Sequence, residues 1–224
     1  MDYEKYGEVF RKGNVTLINC DCMDLMADAP ENHWQLSIID PPYGIGAGTM
    51  TMGKGKNKNW GAKKDWDSLT PAADFFTELF RVSEKQIIWG GNYFLLPLTG
   101  GWIYWNKDRN KDVSFADGEL AWTSFLSVIK EAKIKYDGFL GADIQRIHPT
   151  QKPVKLYQWL LSNYAKPGDR ILDTHLGSGS SAIAAHYAGH DFVGIELDED
   201  YFKAASKRVD NETRQVDIFA EPEQ

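Results

Sequence analysis

Cysteine is scarce: the 224-residue chain has two, Cys20 and Cys22, flanking Asp21. Thiols that close in an extended segment cannot form an unstrained disulfide, which excludes a cystine-stapled fold and points to reduced thiols. Long hydrophobic runs are missing too. The most apolar stretches, Gln86–Trp89 and Tyr93–Leu96, fall far short of the ~20 residues that span a bilayer. The first six residues alternate charge with aromatic side chains and lack the apolar region and cleavage site of a signal peptide. These absences predict a cytoplasmic protein with no membrane partner. Positive charge is not in excess: 32 Asp and Glu face 25 Lys and Arg, a formal net charge of -7, whereas nucleic-acid-binding domains often carry the opposite balance. The total hides a local asymmetry. Between Met50 and Asp65 stand Lys54, Lys56, Lys58, Lys63 and Lys64, so a basic segment sits on an acidic body. What is plentiful is core-forming material, with 42% hydrophobic and 13% aromatic residues, enough for a single compact domain over residues 1–224.

Strand and helix patterns alternate, which predicts an α/β domain with a mainly parallel sheet. Strands are expected at 15–18, 36–39, 86–89, 101–105, 170–173 and 192–195, and helices at 71–82, 153–165 and 180–188, followed by one N-capped by Asp198. Residues 44–65 hold six glycines and no apolar period, the pattern of a mobile loop, and loops that long are usually functional. Residues 106–147 are irregular and are expected to contain inserted strands or hairpins. The acidic tail from Asn211 reads as partly disordered.

Two constellations carry chemistry. The run from Ile171 to Glu196 reads as strand, Gly177-Ser178-Gly179 turn, helix, strand and acid. Glycines let a backbone approach a ligand over a helix N-terminus, and an acid about 20 residues on can accept hydrogen bonds from ribose hydroxyls. The third glycine of a dinucleotide fingerprint is missing, which favours a nucleoside without a pyrophosphate. The second constellation is Asp40-Pro41-Pro42-Tyr43 at a strand end, where open α/β sheets place their ligands. An exocyclic amino nitrogen on a base is a poor nucleophile because its lone pair is delocalised into the ring. If Asp40 and the Pro41 carbonyl each accept one N–H, that nitrogen can pyramidalise, and the charge developing during attack is stabilised. Tyr43 offers a flat face for a base that has left the duplex.

With these residues the sequence resembles the amino-group DNA methyltransferases that depend on S-adenosylmethionine, in particular the small phage or restriction-modification enzymes of the permuted (β) type. Four stretches carry the resemblance: Asn19 to Cys22, Asp40 to Gly44, His148 to Pro153, and Asp173 to Ser180 with Gly194-Ile195-Glu196. Their order, with the catalytic tetrapeptide ahead of the cofactor loop, implies a Rossmann-like methyltransferase fold with a circularly permuted sheet and a small target-recognition insertion at 106–147. The resemblance further implies that Asp173, His175, Gly177, Ser178 and Gly179 form the loop around the methionine part of S-adenosylmethionine, that Glu196 holds its ribose, and that Asp21 with the Cys22 backbone meets its adenine. Thr150, Gln151 and Lys152 would lie against the methionine carboxylate. Where the family has Pro-Phe after the first Asp of the loop, this chain has Thr174-His175.

The expected function is therefore site-specific DNA adenine-N6 methylation in a bacterial cell or phage-infected host, acting on double-stranded DNA and compatible with a homodimer. The five loop lysines are the expected DNA contacts. Cytosine-N4 methylation is the nearest alternative, because Asp rather than Ser at position 40 favours adenine without deciding it. A catalytically silent nucleic-acid-binding relative and an RNA base are the others. His186 and His190 stand four apart, but no third ligand accompanies them, so no metal is expected.

Overall fold

The computed structural model describes residues 1–47, 65–108, 116–136 and 147–214. Among these, the strands are β1 (Glu8–Lys12), β2 (Val15–Asn19), β3 (Leu36–Ile39), β4 (Gln86–Trp89), β5 (Trp102–Asn106), β6 (Gly118–Thr123), β7 (Lys130–Lys133), β8 (Arg170–Asp173) and β9 (Asp191–Glu196). The helices are α1 (Cys22–Asp28), α2 (Ala73–Val82), α3 (Val154–Tyr164), α4 (Ser180–Ala188) and α5 (Glu199–Thr213). The strands form one sheet in the order β1-β2-β9-β8-β3-β4-β6-β5-β7. Its centre, from β2 through β9, β8 and β3 to β4, is parallel throughout. β1 runs antiparallel to β2, and β6 runs antiparallel to both of its neighbours.

The pleat sorts the central strands into two cores. Ile38 and Ile87 belong to one buried cluster while their sequence neighbours Ile39 and Ile88 belong to the other, as a two-residue period requires. The first core is covered by α3, α4 and α5 through Leu156, Leu160, Ile183 and Phe202. The second lies under α1 and α2. The face of α2 formed by Phe75, Phe76, Leu79 and Val82 is buried, the spacing of an apolar helical stripe. Leu79 is fully buried, so its truncation to Ala should cost about 2–5 kcal/mol.

Two elements escaped the sequence reading. β1 is a half-exposed edge strand whose charges interrupt any apolar alternation. α1 has only seven residues, with Leu25 and Met26 buried, and Asp21 caps it by accepting the Met23 N–H at 2.8 Å. A helix that short owes its stability to tertiary burial. Elsewhere α5 runs through Asn211 to Thr213, so the tail is shorter than expected. β6 and β7 fall inside 106–147 and are strands of the central sheet; residues 109–115 and 137–146 of that region lie outside the described residues, as do 48–64 of the expected mobile loop.

This topology positions the site. From β3 the chain passes through α2 to β4 on one side, and from β8 through α4 to β9 on the other. The sheet's switch point is therefore the gap between the carboxyl ends of β3 and β8, where such sheets form a binding crevice. Asp40 follows one of these strands and Asp173 ends the other.

Candidate active site

Asp40 leaves β3 with its carboxylate engaged at both oxygens. Tyr43 donates its hydroxyl to Oδ1 at 2.6 Å, and the Lys152 ammonium lies 2.5 Å from Oδ2. Burial pushes the Asp40 carboxyl up, the Lys152 charge opposes the rise, and a second carboxylate, Glu119, adds to it. Tyr43 is held by its surroundings. Its ring stacks on Tyr93 at 5.0 Å with an interplanar angle of 11°, and it lies over Gly90, where a Cβ would come within 2.2 Å of it. Gly90 is also left-handed, at φ 67°, so position 90 excludes a side chain on both counts.

The turn after Tyr43 is gathered by an acid that sequence reasoning missed. Asp67, 2% exposed, accepts the backbone N–H groups of Tyr43 at 2.6 Å, Gly44 at 3.0 Å and Ala47 at 2.7 Å. Asp67 therefore joins the chain just beyond 48–64 to the chain just before it.

The glycine turn follows β8. Gly177 and Gly179 are left-handed, at φ 53° and 74°. Glu196, at the end of β9, accepts the Gly177 N–H at 2.8 Å through Oε2 and the Asp198 N–H at 3.0 Å through Oε1. Asp173 accepts from the His175 N–H at 3.0 Å and from the Ser181 hydroxyl at 2.6 Å. Burial is still the larger influence and raises its carboxyl to about 7. Behind the turn, Arg208 of α5 donates to the Ser178 carbonyl and the Ser180 hydroxyl, both at 2.9 Å. Arg208 was also missed; in the structure it also pairs with Glu212 at 2.6 Å.

A cavity of about 250 Å³ brings together segments far apart in the chain. It is lined by Met23, Pro42, Leu69, Thr70, Pro71, Ala72, Asp74, Phe75 and His175. Pro42 belongs to the Asp40–Tyr43 tetrapeptide, His175 to the turn after β8, and Met23 follows Asp21 and Cys22. His175 meets Phe75 edge to face at 5.2 Å, and burial lowers its imidazole to about 4. A neutral ring there presents an aromatic wall where the resembling enzymes have Phe. Burial, with Asp21 beside it, raises the Cys22 thiol to about 12.

Lys152, expected against the methionine carboxylate of the cofactor, pairs with two carboxylates of the chain. The ammonium is shared between Asp40 and Glu119, the latter at 3.1 Å, and the residue is 5% exposed. A buried cation is held by anionic partners, and one of them, Asp40, is the first residue of the Asp40–Tyr43 tetrapeptide. Thr150 and Gln151 hold their own turn together. The Thr150 hydroxyl pairs with His148 Nδ1 at 3.1 Å, and Gln151 accepts the Ile147 N–H at 3.2 Å and the Tyr136 hydroxyl. His148 packs on Tyr201 and Trp66, and burial, reinforced by the Lys152 charge, lowers it to about 3. Lys54, Lys56, Lys58, Lys63 and Lys64 lie outside the described residues. Among the described residues no group of three or more His, Cys, Asp or Glu could hold a metal ion, and no helix is long and apolar enough to cross a membrane.

The profile of the DNA methylase family matches residues 88–207, more than half of the chain. The chain belongs to the DNA methylase family. It is 29% identical over 150 residues to the type II methyltransferase M2.DpnII of Streptococcus pneumoniae, a match covering 66% of this chain and 50% of that protein, so the chain spans about half the length of that relative. It is 28% identical over 217 residues to YubD of Escherichia coli K12, which carries a methylase name, covering 86% of this chain and 88% of YubD. Two solved structures share the fold. M1.HpyAVI in its complex with SAM has a TM-score of 0.54 at 20% identity, covering 87% of this chain and 99% of that one. The cytosine-N4-specific PvuII DNA methyltransferase also has a TM-score of 0.54, at 11% identity, covering 93% and 96%.

Proposed function

We propose that this member of the DNA methylase family transfers a methyl group from S-adenosylmethionine to the N6 amino group of an adenine flipped out of duplex DNA. One observation carries the reading: Pro42 of the Asp40–Tyr43 tetrapeptide and His175, two residues beyond the end of β8, line one cavity. Pro42 and His175 line the same space, so an acceptor for an amino group and a nucleoside-sized hollow adjoin. About 250 Å³ suits the nucleoside part of the cofactor, with Met23, Pro42, Phe75 and His175 as apolar walls. A carboxylate oxygen can accept more than one hydrogen bond, so Glu196 can hold the turn and still receive a ribose hydroxyl.

S-adenosylmethionine supplies an electrophilic methyl group on a sulfonium. The chain's part is to make the amine nucleophilic. Asp40 accepts one N–H through Oδ1, either beside the Tyr43 hydroxyl or in its place, and the Pro41 carbonyl accepts the other. With both N–H bonds directed out of the ring plane, the lone pair localises on nitrogen and the positive charge that forms is met by Asp40. Tyr43, stacked on Tyr93, offers its aromatic ring to the base. Asp rather than Ser at position 40 supports adenine over cytosine. Lys54, Lys56, Lys58, Lys63 and Lys64 are assigned to the phosphate backbone, since an acidic protein needs a local cationic segment to approach a polyanion.

The test is nucleoside analysis of methylation-free DNA incubated with protein and labelled S-adenosylmethionine. N6-methyladenine is the expected product. N4-methylcytosine would replace the base assignment, and unlabelled DNA with the cofactor still bound would favour a silent nucleic-acid-binding relative.

A further inference from the structure

Asp40 stands at the end of a row of alternating charges. Its partner Lys152 also contacts Glu119 Oε2 at 3.1 Å, and the other Glu119 oxygen receives Lys107 at 2.6 Å. Both lysines are nearly buried, and both lie over aromatic rings, Lys152 at 5.4 Å from Trp89 and Lys107 at 5.0 Å from Trp105. Such burial would expel an unpaired ammonium. Glu119 sits on β6 and Lys107 just beyond β5, where Trp105 pairs with Glu119, so the sheet itself fixes the spacing.

We propose that Glu119 and Lys107 are positioning residues that set the charge on Asp40 by dividing the Lys152 ammonium between two carboxylates. The inference rests on the proposed role of Asp40 as the acceptor for the target amine. Lys152 at 2.5 Å opposes the rise that burial imposes on the Asp40 carboxyl. Unshared, the same ammonium would bind that carboxylate so strongly that it became a poor acceptor. Glu119 draws off part of the charge, and Lys107 keeps Glu119 from over-correcting. Two cations and two anions then leave the site neutral. The other titratable groups facing Asp40 are Tyr43, Tyr157 of α3 and Asp173 of β8. Burial raises both tyrosines well above their ordinary range, so they stay neutral. Glu119 remains ionised: burial raises its carboxyl, but Lys152 and Lys107 outweigh that and bring it to about 2.

The arrangement makes a signed prediction. Carboxylates sharing one ammonium lie within about 6 Å of each other, where removing one charge moves a neighbouring titration by on the order of one to two pH units, and the partial exposure of Glu119 brings the expectation to about one. Glu119→Gln should shift Asp40 to lower pH. Lys107→Met, which keeps the stem over Trp105, should shift it to higher pH. The double variant should return close to the wild-type value.

Asp40 can be followed by 13C NMR in protein labelled at the aspartate carboxyl, its signal identified by its loss in Asp40→Asn. The acid limb of the single-turnover methylation rate should move in the same direction as the titration. Opposite shifts that cancel in the double variant establish the charge row. Shifts of the same sign, or none beyond about 0.3 unit, would overturn it and leave Glu119 and Lys107 as structural groups. If a single variant is too unstable to titrate, the double variant should melt above it; a double variant no more stable than either single also refutes the proposal. Because the titration needs neither DNA nor cofactor, signed shifts in a protein that methylates no DNA would sink the proposed function while leaving the charge row intact.

Discussion

Removing the Asp67 carboxylate should release the turn that carries Tyr43 while leaving most of the core intact. Asp67 is 2% exposed and accepts three backbone N–H groups at 2.6, 3.0 and 2.7 Å. Hydrogen bonds to a charged acceptor contribute roughly 1.5–3 kcal/mol each. Gly44 is exposed and its N–H can return to water, whereas Ala47 is buried, so the three losses are not fully realised. We expect Asp67→Ala to cost about 3–5 kcal/mol, and the melting temperature to fall by about 6–20 °C for a chain of this size. Asp67→Asn retains the acceptor for Tyr43 and Gly44 but turns an amide N–H toward that of Ala47, so its loss should be intermediate. Urea denaturation gives the stability change. Methyl transfer at saturating cofactor should fall more than tenfold, because Tyr43 loses its backbone anchor, while calorimetric affinity for S-adenosylmethionine changes less than about threefold. An Ala variant that denatures within about 0.5 kcal/mol of wild type and turns over normally would refute the reasoning.

Asp40→Ala should lower turnover by roughly 10² to 10³, as loss of a preorganised polar group does, with cofactor binding unchanged; near-normal methylation would remove the mechanism. Glu196→Ala should weaken S-adenosylmethionine at least about tenfold by calorimetry, and unchanged affinity would mean that the cofactor lies elsewhere. Asp173 has a folded-state carboxyl raised to about 7 by burial, so its contribution to stability is fully present below the unfolded value near 4 and is lost as pH rises through 7. Asp173→Asn should accordingly gain about 1–3 kcal/mol at pH 8 but not at pH 3.5, and equal denaturation midpoints for variant and wild type at pH 8 would contradict this. Replacing Lys54, Lys56, Lys58, Lys63 and Lys64 with Gln should flatten the slope of log DNA affinity against log salt by about two to four units, at ~0.9 per phosphate contact; an unaltered slope would assign the DNA contacts to other residues.

Elements whose information is local were legible in the chain alone. The apolar run at 36–39 stopped by two prolines, the left-handed glycine that ends α4 and the Asp198 cap of α5 appear in the structure as read. Asp40, Asp173 and Glu196 were legible for a related reason: each acid stands at the end of an apolar strand, a position that periodicity marks. Tertiary structure decided what periodicity cannot reach. α1 has too few residues to be stable alone, and β1 has no apolar face to announce it. Asp67 is one acid among many until the chain returns and places three N–H groups around it. Glu119 left a faint signal, since it shares a strand face with Ala121, which is fully buried, and an acid in that register must have a cationic partner. Which cation met it could not be read from the chain, because Lys152 follows Glu119 by more than thirty residues and stands outside the strands, just before α3. A helical or extended period encodes which face a residue takes, but the energy of a buried charge depends on what lies across the gap, and that is set by the order of the strands.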